Sequence, residues 1–383
     1  MPFQVHLAIR GYIYLVPEPR AQADTMGGGG STSKRLNLYV ISIAPPDNDA
    51  PIDWIGTSLK SKRGISMKDF KVESLIGTGM LGHVVTAQHK PSRLYFAIKS
   101  MWKADVVERN MVKQVVAEKQ AMEELRHPFL VQCFDTFQSD DQIHFVLEYI
   151  PGGELFKWLQ EYGQFYDHEA KFFAAELVLV LEFIHAKGYI YRDLKPENIV
   201  LDAHGHVKLI DFGFAKPVDD NNGRCSTSVG TPQYLAPEQL KPGGSYTQAV
   251  DWWAFGCVVF ELLMGATPFF RATGESSFEL YTRVLKGKLS FGDRFTPQAK
   301  DLLRQLLRPD LSKRLTDATK IKNHPWFRDI EWSMVEARRL EPPVRPTLRV
   351  PGDCSNFDTH NDEPARGKKK SLGAKFDAAF AAF

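Results

Sequence analysis

From Phe70 onward the apolar positions fall into short runs bounded by polar and turn residues. Phe70 to Ile76 and Val84 to Gln88 read as strands, and a third follows through Tyr95 to Lys99. A helical stretch then runs from about Val112 to Leu125, rich in Val, Ala, Glu, Lys and Met, and stops before His127-Pro128. Ile143 to Tyr149 is a further apolar strand. Beyond Gly153 the pattern turns helical, as in Glu169 to Ala186, Trp252 to Leu263 and Pro297 to Leu307. The order predicts an α+β chain with a small strand-rich lobe bearing one main helix, then a larger helical lobe. Ahead of it, Pro17, Pro19, the Gly27 to Gly30 run, Pro45, Pro46 and Pro51 interrupt any long element, so residues 1–65 read as an irregular extension. The small lobe is placed at 66–147 and the large lobe at 148–327. A tail over 328–383 carries a proline-rich stretch from Pro342 to Pro351 and basic residues at Lys368 to Lys370.

Composition narrows the class. A chain of 383 residues suits two units with extensions, and 43% hydrophobic content excludes a wholly disordered protein. A formal charge of +2 gives no global reason to expect nucleic acid binding. Cys133, Cys225, Cys257 and Cys354 lie far apart without a Cys-x-x-Cys pair, which argues against a zinc site or disulfide framework and fits a reducing compartment. No apolar run approaches the roughly 18 residues of a membrane span. The stretch from Phe3 to Val16 lacks a basic leading region, so it does not read as a signal peptide. The expectation is a soluble protein of the cytoplasm, extending to the nucleus.

Three segments carry candidate chemistry. Gly77-Thr78-Gly79-Met80-Leu81-Gly82-His83-Val84 is a glycine-rich loop, in which absent Cβ atoms let backbone N–H groups approach phosphate oxygens. A dinucleotide fingerprint with the same glycine spacing opens a helix, whereas His83 to Ala87 continues as a strand. That leaves a nicotinamide-dependent oxidoreductase without its helix. Lys99 lies on the third strand and Glu118 on the helix after it; taken together they suggest an ion pair aiming an ammonium at phosphates. The strongest segment is Tyr191-Arg192-Asp193-Leu194-Lys195-Pro196-Glu197-Asn198, followed by Asp211-Phe212-Gly213. Phosphoryl transfer needs a carboxylate beside the attacking hydroxyl, cations for developing charge, and oxygen ligands for a metal. Asp193, Lys195 and the pair Asn198 and Asp211 supply these in turn, the last two as ligands suited to Mg²⁺.

These segments, with Ala236-Pro237-Glu238, resemble the protein-kinase signature set over about Phe70 to Phe327. The finer resemblance is to the AGC group and, within it, to the cAMP-dependent catalytic subunits. It rests on Asp211 to Lys216, Gly230 to Glu238, Asp251-Trp252-Trp253-Ala254, Pro351 to Phe357 and a chain ending Phe380-Ala-Ala-Phe383. The resemblance implies the bilobal protein-kinase fold, with ATP and Mg²⁺ in the cleft. Nucleotide contacts are then expected from Ile76 to Val84, Ala97, Lys99, the hinge residues Leu147, Glu148 and Ile150, Glu154, and Phe357 of the tail. Asp193, Lys195, Lys99 and Glu118 are expected to be catalytic. Glu154, Glu197 and Glu261 resemble carboxylates that read Arg upstream of the target Ser or Thr, and Pro232 and Leu235 resemble the lining for the residue after it. Asp251 resembles the carboxylate that holds the catalytic loop's backbone, Glu238 with Arg314 a buried ion pair, and Phe380 and Phe383 aromatics that fill a small-lobe pocket.

The same resemblance implies phosphorylation at Thr227 and Ser371, with Arg192, Lys216 and Lys113 as cations for the former. It also implies a cAMP-binding regulatory subunit, an expectation weakened by Ser226, which stands where those enzymes carry a tryptophan; Tyr281 keeps another aromatic of that surface. Tyr191 replaces the usual His, Gln233 a Glu, and Asn361 falls where the tail is normally acidic. Met26-Gly27 to Ser31 fits an N-myristoylation signal if translation starts at Met26; a flexible glycine-rich linker reads the same residues. A cGMP-dependent kinase is the nearest rival within the group. A pseudokinase scaffold is the rival outside catalysis, set against the presence of every residue the chemistry needs.

Overall fold

The computed structural model describes residues 4–9, 12–16, 64–218, 230–241, 245–269, 276–358 and 378–383. They divide into two units, Met1–Ser61 and Lys62–Phe383. In the first, β1 (Gln4–Ile9) pairs antiparallel with β2 (Tyr12–Val16), where the sequence reading expects no regular element. The reason is local: Val5, Ile9, Tyr12, Ile13, Tyr14 and Val16 are strand formers, and most of the breaking prolines and glycines come after Val16.

In the second unit a five-stranded antiparallel sheet forms the small lobe. Its strands are β3 (Phe70–Thr78), β4 (Gly82–His89), β5 (Tyr95–Trp102), β6 (Cys133–Gln138) and β7 (Gln142–Glu148), in the order β3-β4-β5-β7-β6. The edge strand β6 escapes the sequence reading because Asp135, Thr136 and Gln138 dilute its apolar pattern. Helix α1 (Lys103–Glu108) leads into α2 (Val112–Glu124), which buries Val115, Glu118, Ala121 and Met122. A buried Glu on that face is the first sign that the helix serves a site as well as a core.

The large lobe is built on α4 (Asp167–Ala186) and α5 (Ala249–Met264), with α3 (Leu155–Tyr162), α6 (Ser277–Lys286) and α7 (Pro297–Leu306) around them. Every residue of α5 from Ala249 to Leu263 is buried, as expected of a helix apolar on all faces. Thr296 caps α7 by accepting from Ala299 N, with Pro297 at the first helical position. Between α4 and α5 run four short strands, β8 (Tyr189–Ile190), β9 (Ile199–Leu201), β10 (Val207–Leu209) and β11 (Lys216–Pro217). They pair β8 with β11 and β9 with β10. These two ladders fix both ends of the loop 191–198 and of the loop 210–215. A parallel bridge from Leu130 to Leu209 ties that layer to the connection from α2 to β6 in the small lobe.

Arg314 and Glu238 form a buried bidentate ion pair at 2.6 and 2.8 Å. It fixes the turn Pro237–Leu240 against the segment after α7. The tail returns to the hinge, where Asn356 Nδ2 donates to Pro151 O at 3.0 Å and Tyr149 Oη to Asp353 O at 2.6 Å. Gly153 accommodates that return: a Cβ there would lie 2.3 Å from Asn356 O. At the far end Phe380 is fully buried and Phe383 packs edge-on to Phe145 in the sheet, beside the helix that carries Glu118.

Candidate active site

The glycine-rich loop is the connection from β3 to β4, closed by Gly79 N donating to Gly82 O at 2.8 Å. Gly82 starts a strand that lies so close to β5 that a Cβ would fall 1.7 Å from Ser100 O. Only glycine fits there. Met80 at the tip is exposed, Thr78 and Gly79 are open, and Ile76, Gly77, Leu81, His83 and Val84 are half-buried. Strand register sets Lys99 across from Val84 on one side and Phe145 on the other, and Ala97 across from Leu147. The wall under the loop is therefore apolar apart from one ammonium.

That ammonium is shared. Lys99 Nζ donates to Glu118 Oε1 at 2.6 Å and to Asp211 Oδ1 at 3.3 Å. Burial alone would lower the Lys99 value; Asp211 and Glu118 outweigh it and hold the group well above its ordinary range. The Lys99 charge in turn keeps Asp211 below the usual carboxylate range. Asp211 sits at φ +61°, a left-handed conformation that is uncommon for a residue with a side chain. Gly213 N holds its Oδ1 at 3.0 Å.

Asp193 lies at the centre of a second cluster. Lys195 Nζ reaches its Oδ2 at 2.9 Å, Asn198 Nδ2 bonds its backbone and side-chain oxygens at 2.8 Å, and Thr231 Oγ1 donates to its Oδ1 at 3.1 Å. Lys195 Nζ also donates to Thr231 Oγ1 at 2.9 Å. Thr231 is a site residue the sequence reading leaves without a role, because its hydroxyl becomes informative only once the fold brings it 38 positions back to Asp193. Beneath the loop the fully buried Asp251 accepts from Tyr191 N at 2.9 Å, Arg192 N at 2.8 Å and His185 Nε2 at 2.8 Å. Arg192 itself sits at φ +72°.

The remaining expected residues are placed as follows. Glu148 donates its amide to Gln132 O and pairs its carboxylate with buried Lys208 at 2.8 Å, so its side chain braces the hinge. Ile150 is buried and Phe357 of the tail lies 6.3 Å from the Tyr149 ring. Glu154 at the start of α3 is pushed up by burial and then by Glu197. Glu261 is pushed up to about 7 by burial and the Glu197 charge, although Tyr234 Oη donates to it at 2.6 Å. Glu197 Oε2 is buried and accepts no hydrogen bond among the described residues. The Glu197 charge thus acts on both Glu154 and Glu261, and the three carboxylates form an electronegative patch of the kind a guanidinium satisfies. Leu235 is buried in the wall of a small cavity that also touches Asp193 and Thr231, whereas Pro232 is exposed. Thr227, Ser226, Ser371 and Gly27 lie outside the described residues. Lys113 is exposed; its neighbour Gln114 is the residue of α2 that reaches the loop below, donating from Nε2 to Gly213 O at 2.5 Å.

Among the described residues no cluster of three or more His, Cys, Asp or Glu could hold a metal unaided. The donor set here, one carboxylate and one amide oxygen, is what a Mg²⁺ ion takes from a protein when phosphates and water complete its shell. The Asp211 side chain is 42% exposed and so open to such an ion.

The model of the protein kinase domain matches residues 70–327. The chain belongs to the protein kinase family. A cAMP-dependent protein kinase catalytic subunit of Dictyostelium discoideum is 41% identical over 301 residues, covering 78% of this chain and 45% of that protein. The catalytic subunit PRKX of Homo sapiens is 41% identical over 299 residues, covering 77% of this chain and 82% of its own length. A RAC family serine/threonine-protein kinase homolog of Dictyostelium discoideum is 38% identical over 308 residues, covering 79% and 68%. The chain is similar to cAMP-dependent catalytic subunits and spans under half the length of the first of these relatives.

Proposed function

We propose that this kinase transfers the γ-phosphoryl group of ATP to Ser or Thr preceded by Arg, as a catalytic subunit of the cAMP-dependent type. The observation that carries the reading is the double cluster: Lys99 bonded to Glu118 and Asp211, and Asp193 bonded to Lys195, Asn198 and Thr231.

In this reading Lys99, held by Glu118, fixes the α- and β-phosphates, and the Gly77–Gly82 loop covers them with backbone N–H groups. Asp211 and Asn198 would hold Mg²⁺, which supplies charge neutralisation on the phosphates. Asp193 accepts or orients the proton of the attacking hydroxyl while Lys195 meets the charge developing on the transferred group. The hinge from Leu147 to Ile150, with Phe357 from the tail, encloses the adenine side. Glu154, Glu197 and Glu261 bind upstream Arg through charge-assisted bonds worth roughly 1.5–3 kcal/mol each. The relatives' designation supports a cAMP-binding regulatory subunit as a partner.

The test is radiolabelled phosphate transfer to an Arg-Arg-x-Ser-type peptide and to an acidic-flanked one. Wild type modifies the first far better, and Asp193→Ala abolishes transfer while the protein stays folded. Equal turnover of the two peptides would remove the Arg preference; equal activity of Asp193→Ala would remove the assignment of that residue. Capture of a regulatory chain by the immobilised kinase, with that chain released by cAMP, tests the partner.

A further inference from the structure

We propose that Gln114 is a positioning residue for phosphoryl transfer, coupling the helix that carries Glu118 to the loop that carries Asp211 through a neutral hydrogen bond. The inference rests on the functional reading above. Gln114 and Glu118 are four residues apart on α2, so both side chains leave the same helical face. Glu118 goes to Lys99, whereas Gln114 Nε2 goes to the carbonyl of Gly213 at 2.5 Å, a contact spanning 99 positions.

Gly213 occupies the one place where such a bond controls the site. Its amide donates to Asp211 Oδ1 at 3.0 Å, while its carbonyl is taken by Gln114. A Cβ on it would lie 3.1 Å from Asp211 Oδ1 and 3.6 Å from Glu118 Oε2, so its backbone is wedged between the two carboxylates that share Lys99. Rotation of the peptide units around Gly213 would move the amide off Asp211. Gln114 opposes that rotation. Asp211 at φ +61° needs such restraint, because a residue in this conformation persists only where its surroundings over-determine it.

The other end of α2 is held independently. Tyr189 Oη on β8 donates to Glu124 Oε2 at 2.7 Å, so the helix meets the large lobe at both ends and can neither slide nor pivot without breaking one of the two bonds. A neutral amide on a carbonyl also works whatever charge residues 219–229 carry, so the coupling does not depend on their phosphorylation.

The experiment compares Gln114→Met, Gln114→Glu and Gln114→Lys with wild type, using saturating ATP and an Arg-containing peptide. Met keeps length and packing without a donor, Glu places an acceptor against a carbonyl, and Lys restores a donor. The expected result is a fall in kcat of about three- to tenfold for Met, the loss of one hydrogen bond. The fall is larger for Glu, Lys recovers most of the wild-type rate, and KM for peptide is unchanged throughout. Wild-type turnover by Gln114→Met overturns the proposal, as does equal impairment of all three variants, which would mean packing alone. If the Met variant does not fold, the order of Lys above Glu decides the matter. Failure of wild type to phosphorylate any Ser or Thr peptide would instead remove the functional reading.

Discussion

Replacing Asp251 by Asn changes one atom, yet it should loosen the loop that carries Asp193. Asp251 Oδ2 accepts from both Tyr191 N and His185 Nε2, and Oδ1 from Arg192 N. An Asn has only one oxygen, so its amide must face at least one donor in a site with no exposure to solvent. Leaving one buried backbone N–H unpaired costs about 1–3 kcal/mol, and the surviving bonds lose the charge-assisted part of their strength, about 1 kcal/mol more. Arg192, whose side chain donates to Phe214 O at 2.6 Å and to Tyr246 Oη at 2.9 Å, sits at φ +72°, and a side chain in that conformation itself costs on the order of 1–3 kcal/mol. The loop therefore has a source of strain to release once the clasp weakens.

For the unit Lys62–Phe383, of 322 residues, an unfolding entropy near 2.1 cal/mol/K per residue gives about 0.7 kcal/mol/K. A loss of about 2–4 kcal/mol then lowers Tm by about 3–6 °C. Differential scanning fluorimetry reads this directly, and peptide phosphorylation should show kcat falling more than KM rises, because the displaced groups belong to the Asp193 loop. An Asp251→Asn protein melting within 1 °C of wild type with unchanged kcat would refute the argument that this carboxylate sustains the loop.

Other outcomes follow from the same geometry. Glu261, at about 7 instead of its ordinary 4.5, is ionised above that pH and neutral below it, so its attraction for Arg is present at pH 8 and lost as pH falls. KM for an Arg-containing peptide should rise up to about tenfold between pH 8 and 6, and Glu261→Gln should flatten the profile at the high value; a pH-independent KM in wild type contradicts this. Glu238→Gln leaves Arg314, with no side-chain exposure, facing a neutral amide; chemical denaturation should show a loss approaching the 3–5 kcal/mol typical of a broken buried pair, and no change would mean the pair is not a clamp. Phe380→Ala empties a fully buried ring site beside α2, so amide exchange should quicken in Val112–Glu124 and kcat fall; unchanged exchange there would show that the terminal aromatics do not support the helix.

What could be read in advance was decided by residue type, and what could not was decided by distance along the chain. Asp193, Asn198 and Asp211 were legible because phosphoryl transfer admits few side chains at those steps, and Lys99 with Glu118 because a strand ammonium and a helix carboxylate make a pair only if the two elements are adjacent. The strand ends were legible to within a few positions wherever apolar residues ran together, as in β7, and were lost where polar residues broke the pattern, as in β6; the N-terminal hairpin was lost because the prolines and glycines after it governed the reading of the whole segment. Gln114, Tyr189 and Thr231 carried no signal at all. An amide on a helix face, a phenol on a two-residue strand and a hydroxyl in a loop each read as solvated groups, and each gains meaning from a partner 99, 65 or 38 positions away. The reacting groups of this kinase are thus written in composition at fixed spacings, whereas the forces that align them lie in single long-range hydrogen bonds. Variation in activity between chains of this fold should accordingly be sought at the second kind of position, where a substitution keeps every motif intact and still shifts Asp211 or the Asp193 loop out of register.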